Sequence, residues 1–188
     1  MKERLIVGIS GASGAPIALA LLQALKKTPY ETHVILSGGG EMTLRQECRI
    51  GKEELSALCD VLYDIHDLGA GPASGSFRTA GMIIVPCSMK TAAGLYCGYS
   101  DNLLLRAGDV TMKERRKLVL VPRECPLSTI HLRNLYELSR MGAVILPPMM
   151  GYYYHPRTMQ DEIDFLVGKI LDQFGAEAPN FRRWEGMT

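Results

Sequence analysis

The chain has 188 residues, 47% of them apolar, which can bury a substantial core and suits one domain over residues 1–188 better than two. Lys and Arg total 21 against 20 Asp and Glu, so no broad electrostatic surface points to nucleic acid or another polyanion. No apolar run reaches the roughly 18 residues of a membrane span, the start MKERLIVGISG lacks a signal-peptide hydrophobic region, and five cysteines without a CxxC pair argue against a disulfide framework or a structural zinc site.

A cytoplasmic protein is expected, its thiols read as small buried hydrophobes. The first apolar run, Arg4 to Ser10 (RLIVGIS), is followed by PIALALLQALKK, a helical pattern with Pro16 in its first turn and Leu19, Leu22 and Leu25 marking a buried face. The next runs are Thr32 to Ser37 (THVILS), Gly81 to Ser88 (GMIIVPCS) and Lys117 to Arg123 (KLVLVPR). Helical patterns flank the last of these, NLLLRAGDVTMKERRK before it and STIHLRNLYELSRM after it. A fifth run, Gly142 to Pro148 (GAVILPP), precedes a final helix with a capping box of Thr158 and Asp161, an apolar face of Ile163, Phe165, Leu166 and Ile170, and a stop at Gly175.

Each apolar run is too short for an ordinary helix and lacks clean polar alternation, which predicts strands covered on both faces. Strands alternating with helices imply an α/β fold with an open, doubly wound, mostly parallel sheet of Rossmann-like type. Ligands in such a fold sit beyond the carboxyl ends of the strands. There the sequence gathers its polar loops: Ser10 to Ser13, Ser37, Ser88 to Thr91, Arg123 with Glu124, and Tyr152 to His155.

The loop GISGASGAP, Gly8 to Pro16, permits close backbone approach to an anion and opens onto a helix start with unpaired N–H groups. It is neither GxGxxG nor a nucleoside-triphosphatase loop, and a structural turn without a ligand is the competing reading. PCSMKTAAG supplies Ser88, Lys90 and Thr91 as donors for a phosphate or a polar ring edge. Cys87 as a nucleophile is the weaker alternative, because the loop contains no histidine to act as its base. Arg123 and Glu124 stand either in the ligand crevice or as a surface ion pair, and GPASGSF, Gly71 to Phe77, either wraps a flat ligand or stays mobile.

Taken together, GISGASGAP, SGSFRTAGMIIVPCSMKT, DNLLLRAGDVTMKERRKLVLVPRE and PLSTIHL with LSRMGAVILPP resemble the flavin prenyltransferase family, in the branch associated with phenolic acid decarboxylases, over nearly the whole chain. The resemblance implies a flavoprotein that joins dimethylallyl, from dimethylallyl phosphate, to reduced FMN at N5 and C6. The prenylated FMN would serve a separate aromatic acid decarboxylase. No metal is implied. By the same resemblance Gly11, Ala12, Ser13, Ser37, Ser88, Met89, Lys90, Thr91 and Arg123 contact FMN, while Glu47, Arg106, Lys113, Tyr153 and Lys169 lie around the allylic phosphate or the reacting flavin edge. Glu124, Lys113 and Ser13 are the expected catalytic residues, with Glu124 accepting the proton lost at C6. Lysine, arginine and tyrosine suit a leaving phosphate, and Lys169 stands where the family also has Arg, keeping charge without the bidentate fork. Relatives form symmetric homo-oligomers, commonly dodecamers, with sites near subunit seams. The segments PPMMGYYYHP and APNFRRWEGM are suited to such interfaces.

The other conspicuous residues carry plainer expectations. His33, His66, His131 and His155 are too dispersed for a zinc site, with a structural hydrogen bond expected of His131. Glu114, Arg115 and Arg116 read as a solvated helix end, and Met149 with Met150 as pocket or seam lining. Three further functions remain alongside the transferase: a flavin-dependent decarboxylase, a noncatalytic flavin-carrying subunit, and a nucleotide-binding structural module.

Overall fold

The structure is a computed structural model that describes residues 2–186; Met1, Met187 and Thr188, at the ends of the expected 1–188 domain and of APNFRRWEGM, lie outside the described residues. Its strands are β1 (Glu3–Ile9), β2 (Tyr30–Leu36), β3 (Val61–Tyr63), β4 (Gly81–Cys87), β5 (Lys117–Pro122) and β6 (Val144–Ile145). They pair in parallel in the order β3-β2-β1-β4-β5-β6. The helices are α1 (Ala15–Leu25), α2 (Gly38–Cys48), α3 (Lys52–Ser56), α4 (Met89–Tyr96), α5 (Leu103–Lys113), α6 (Thr129–Arg140) and α7 (Met159–Asp172).

The strands lack polar alternation because both faces of the sheet are covered. Leu5, Val7, Ile9, Val34, Ile83 and Val119 point to one side, where they pack with Leu21 and Leu22 of α1 and Ile170 and Leu171 of α7. Ile6, Ile35, Met82, Ile84, Leu118 and Leu120 point to the other, against Leu95 of α4, Leu104 and Ala107 of α5 and Leu138 of α6. Successive side chains of a strand alternate in direction, so a strand with helices on both sides is apolar at every position.

The expected strands and four helices are present, with the final capping box formed by Thr158 and Asp161. Three features differ. β3 is only three residues long, held by pairing with His33, Val34 and Ile35 of β2, and so carries no periodic signal of its own. Ser37, expected in a polar loop, starts a helix that none of the sequence patterns marked: it caps α2 by accepting from the Gly40 N–H at 3.0 Å. β5 stops at Pro122, one residue short of the expected run to Arg123, and Ser128 then caps α6.

β1 is the switch point. The chain adds β2 and β3 on one side of it and returns to place β4, β5 and β6 on the other. A crevice therefore opens where the loops after β1 and β4 diverge.

Candidate active site

At the carboxyl ends of β1 to β4 lies a cleft of about 880 Å³, within the usual range of roughly 300 to 1,000 Å³ for small-molecule sites. Gly11, Ser37, Ser88, Lys90 and Thr91 line it, opposite the apolar Leu36, Leu62, Leu104 and Leu105 and the ring of Tyr63. Ser10 ties two of its loops together. Buried at the end of β1, its hydroxyl donates to the Pro86 carbonyl at 2.8 Å and accepts from the Ser88 N–H at 2.7 Å, fixing the first loop to the fourth. The glycines bring the second loop in. A Cβ on Gly11 would lie 2.8 Å from Gly39 Cα, and one on Gly40 only 2.5 Å from the Ile9 carbonyl oxygen.

Two helices begin at this cleft. Ser37 caps α2, and Ser88 caps α4 by accepting from the Thr91 N–H at 3.3 Å, with the Thr91 hydroxyl 3.0 Å away. Helix starts favour anions because their first N–H groups and dipoles point outward. Lys90 adds positive charge beside these helix starts; Lys52, in the same lining, is paired with Glu41 at 3.2 Å, and Asp64 and Asp101 lie on the β3 and α5 side. The lining therefore pairs donors for an anionic tail with an apolar wall for a flat ring, a donor set that fits FMN. Met89 stands apart from the other expected flavin contacts. Its side chain is in the core beneath α4, so only its backbone faces the loop.

The start of α1 is differently engaged. Its expected unpaired N–H groups are taken by Glu47 of α2, which accepts from Gly14 at 3.0 Å and Ala15 at 2.9 Å. Burial pushes the Glu47 carboxyl up, but hydrogen bonds from Gly14, Ser13 and Ala15 and the charge of Arg123 outweigh it and hold the group below its ordinary value. Ser13, Glu47 and Arg123 are thus gathered beside the first loop. Arg123 is anchored by its N–H to the Cys87 carbonyl at 3.2 Å, and exposed Glu124 follows it, accepting from the Cys125 N–H at 3.1 Å.

Three expected phosphate-side cations are not gathered with them. α5 begins at the cleft with Leu104 and Leu105 and carries Lys113 about 12 to 14 Å further along its axis, towards the amino edge of the sheet. There Lys113 pairs with Glu114. Arg106 donates to the Ala73 carbonyl at 3.1 Å and to Asp109 at 2.8 Å. Lys169 lies in the last turn of α7, whose end meets the start of β2 through the Tyr30 hydroxyl bonded to the Phe174 carbonyl at 2.8 Å. Tyr153 sits on a separate segment, with its ring against Trp184 at 5.5 Å.

Other expectations are corrected by contacts. The GPASGSF segment neither wraps the cleft nor hangs free: Arg116 donates to the carbonyls of Phe77 at 2.8 Å and Gly75 at 2.6 Å, so Arg116 is not simply solvated. Of the five cysteines only Cys87 is buried, while Cys97 and Cys125 are exposed. Burial pushes the Cys87 thiol up to about 12, which disfavours its thiolate. The structural hydrogen bond expected of His131 is present, its Nδ1 accepting from the Ser128 N–H at 3.2 Å to close a capping box. Met149 and Met150 are exposed. Among the described residues, no three His, Cys, Asp or Glu side chains converge as a metal site, and no helix is long and apolar enough to cross a membrane.

Sequence reasoning missed Tyr63, Leu104 and Leu105 as cleft lining. Asn102 before an apolar helix was a readable cap signal, and its side chain does accept from the Leu105 N–H at 3.1 Å. Tyr63 left none, being the last residue of a three-residue strand.

An α/β sheet with a polar-and-apolar cleft at its switch point defines a ligand-binding protein of Rossmann-like class. The flavoprotein family profile matches residues 1–171. A probable UbiX-like flavin prenyltransferase of Streptomyces sp. (strain D7) is 53% identical over 185 residues, covering 98% of this chain and 92% of that protein. The crystal structure of a dodecameric FMN-dependent UbiX-like decarboxylase from Escherichia coli O157:H7 superposes with a TM-score of 0.95 at 51% identity, covering 98% of this chain and 100% of that one. AnUbiX (PadA1), in complex with FMN and dimethylallyl pyrophosphate, gives a TM-score of 0.98 at 44% identity, covering 100% of both chains. The chain belongs to the flavoprotein family, in its UbiX-like flavin prenyltransferase branch.

Proposed function

We propose that this flavin prenyltransferase joins a dimethylallyl group, from dimethylallyl phosphate, to reduced FMN at N5 and C6. The observation that carries the reading is the cleft itself, where two capped helix starts and Lys90 face an apolar wall. Reduced FMN supplies the nucleophilic ring positions. Gly11, Ala12, Ser13, Ser37, the Ser88 to Thr91 loop and Arg123 hold and orient it, Met89 through its backbone. Leu104, Leu105 and Tyr63 exclude water from the ring.

The remaining chemistry is a leaving phosphate, which accounts for the bond to N5, and a pair of proton transfers: ring closure at C6 consumes the allyl double bond, which gains a proton, while C6 loses one. Glu124, exposed next to Arg123, accepts the proton released when C6 is substituted. Glu47 and Ser13 fix the first loop beside it. Phosphate departure calls for aimed cations and hydroxyls, the roles of Lys113, Tyr153 and Lys169. Arg106 holds the loop before β4 and contributes to this region through it. Lys113 and Lys169 lie too far from their own cleft, so the reading assigns them to the clefts of neighbouring subunits.

The chain assembles as a homo-oligomer, and a dodecamer like that of the E. coli relative is the finer proposal. Its prenylated FMN passes to a separate aromatic acid decarboxylase, in the cytoplasm. Phosphate release tests the reaction: it should require both reduced FMN and dimethylallyl phosphate, and release without flavin would refute it.

A further inference from the structure

The segment after β6 has no regular structure of its own, yet it presents Tyr153, and the part around that residue is fastened to α7 by one buried carboxylate and a ring stack. Glu162, in the first turn of α7, is only 8% exposed. Its Oε2 accepts from the Tyr154 hydroxyl at 2.7 Å and from the Gly151 N–H at 3.2 Å. A buried carboxylate is costly without donors, and both of these donors come from the same four residues. Tyr154 also stacks on Phe165 of α7, with centroids 4.6 Å apart and planes at 14°. Gly151 makes the fold-back possible, since a Cβ there would lie 2.8 Å from the Tyr154 ring. The Tyr154 phenol is held well above its ordinary value, by burial first and by Glu162 next, so it remains a donor at neutral pH.

With Tyr154 pinned, Tyr153 is turned outward. Its ring stands edge-on to Tyr154 at 5.4 Å, to Phe165 at 6.0 Å and to Trp184 at 5.5 Å. Trp184 comes from the terminal segment, which α7 also holds: Arg183 bonds Asp172 at 2.8 and 3.1 Å, and Phe181 seats over Gly168. α7 is therefore a common platform for two irregular segments that meet at Tyr153 and Trp184.

We propose that Glu162 and Tyr154 are positioning residues that set the Tyr153 ring for the allylic donor, so that the middle tyrosine of the run touches substrate and the third aims it. The inference rests on the transferase reading above. A ring held edge-on by three others offers the allyl group a fixed aromatic wall, and its hydroxyl a donor for the phosphate. A loose segment would offer neither.

Trp184 is the chain's only tryptophan, so its fluorescence reports this cluster directly. Tyr154→Phe keeps the ring and removes the clasp's hydroxyl, and Glu162→Gln keeps an acceptor. In the full-length protein with reduced FMN, Tyr154→Phe should change Trp184 emission or anisotropy and raise KM for dimethylallyl phosphate by on the order of tenfold. FMN affinity should stay unchanged, and Glu162→Gln should keep KM closer to the wild-type value than Glu162→Ala does. A wild-type KM in Tyr154→Phe, whether or not the Trp184 signal moves, would overturn the positioning role. A wild-type protein that leaves the flavin unaltered would instead refute the transferase reading, and the clasp's substrate role with it.

Discussion

Glu47 reaches back 33 residues along the chain to accept the Gly14 N–H at 3.0 Å, so the start of α1 is closed by a carboxylate of α2. It is a tertiary helix cap placed at the edge of a ligand cleft. Glu47→Ala should destabilise the protein by about 1 kcal/mol, the usual loss for a cap, and thermal unfolding of the two proteins measures it.

The same carboxylate sets an acid limit. Its folded value lies below the ordinary 4.5, so its contribution to stability is complete above that value and is lost as pH falls through the folded one. Wild-type protein should therefore lose more Tm than Glu47→Gln as pH is lowered from about 5. Parallel melting curves for the two proteins across that range would contradict this. Glu41, Glu54 and Asp161 are lowered as well, but they are common to both proteins and cancel in the comparison.

The glycines after β2 should be unequal. Gly40→Ala forces a Cβ against the Ile9 carbonyl, whereas a Cβ at Gly38 meets nothing within 4 Å. Gly40→Ala should cost about 1 to 3 kcal/mol through overpacking and weaken FMN binding. Gly38→Ala should leave stability unchanged. Equal behaviour of the two variants in melting would refute the close approach of the first and second loops.

The shared-site assignment has a genetic test. Lys113→Ala and Glu124→Gln should each lower turnover, by on the order of 100 to 1,000-fold for a lost aimed donor. Co-expressed in one mixed oligomer, the two variants should regain part of that activity, because some clefts then receive an intact Glu124 from one chain and an intact Lys113 from another. A mixture no more active than its parents would place both residues in the same chain's site.

How much of this was legible is decided residue by residue. The four long strands were readable, because helices on both faces leave them no polar positions. Ser37, Ser88 and Arg123 were readable as polar residues following apolar runs. The β3 strand was not, since three residues held by pairing show no period. Nor was α2, whose glycines argue locally against a helix; Gly39 and Gly40 are there for close packing on Gly11 and Ile9. The engagement of α1 by Glu47 and the direction in which α5 carries Lys113 are long-range geometry, which spacing along the chain does not encode.

Mass spectrometry of the flavin tests the central claim most directly. Purified protein under anaerobic conditions, with reduced FMN and dimethylallyl phosphate, should yield a flavin heavier by one five-carbon unit together with inorganic phosphate, while an aromatic acid alone loses no carbon dioxide. A flavin of unchanged mass with either the phosphate or the diphosphate donor, or carbon dioxide released from the acid by this chain alone, would contradict the account.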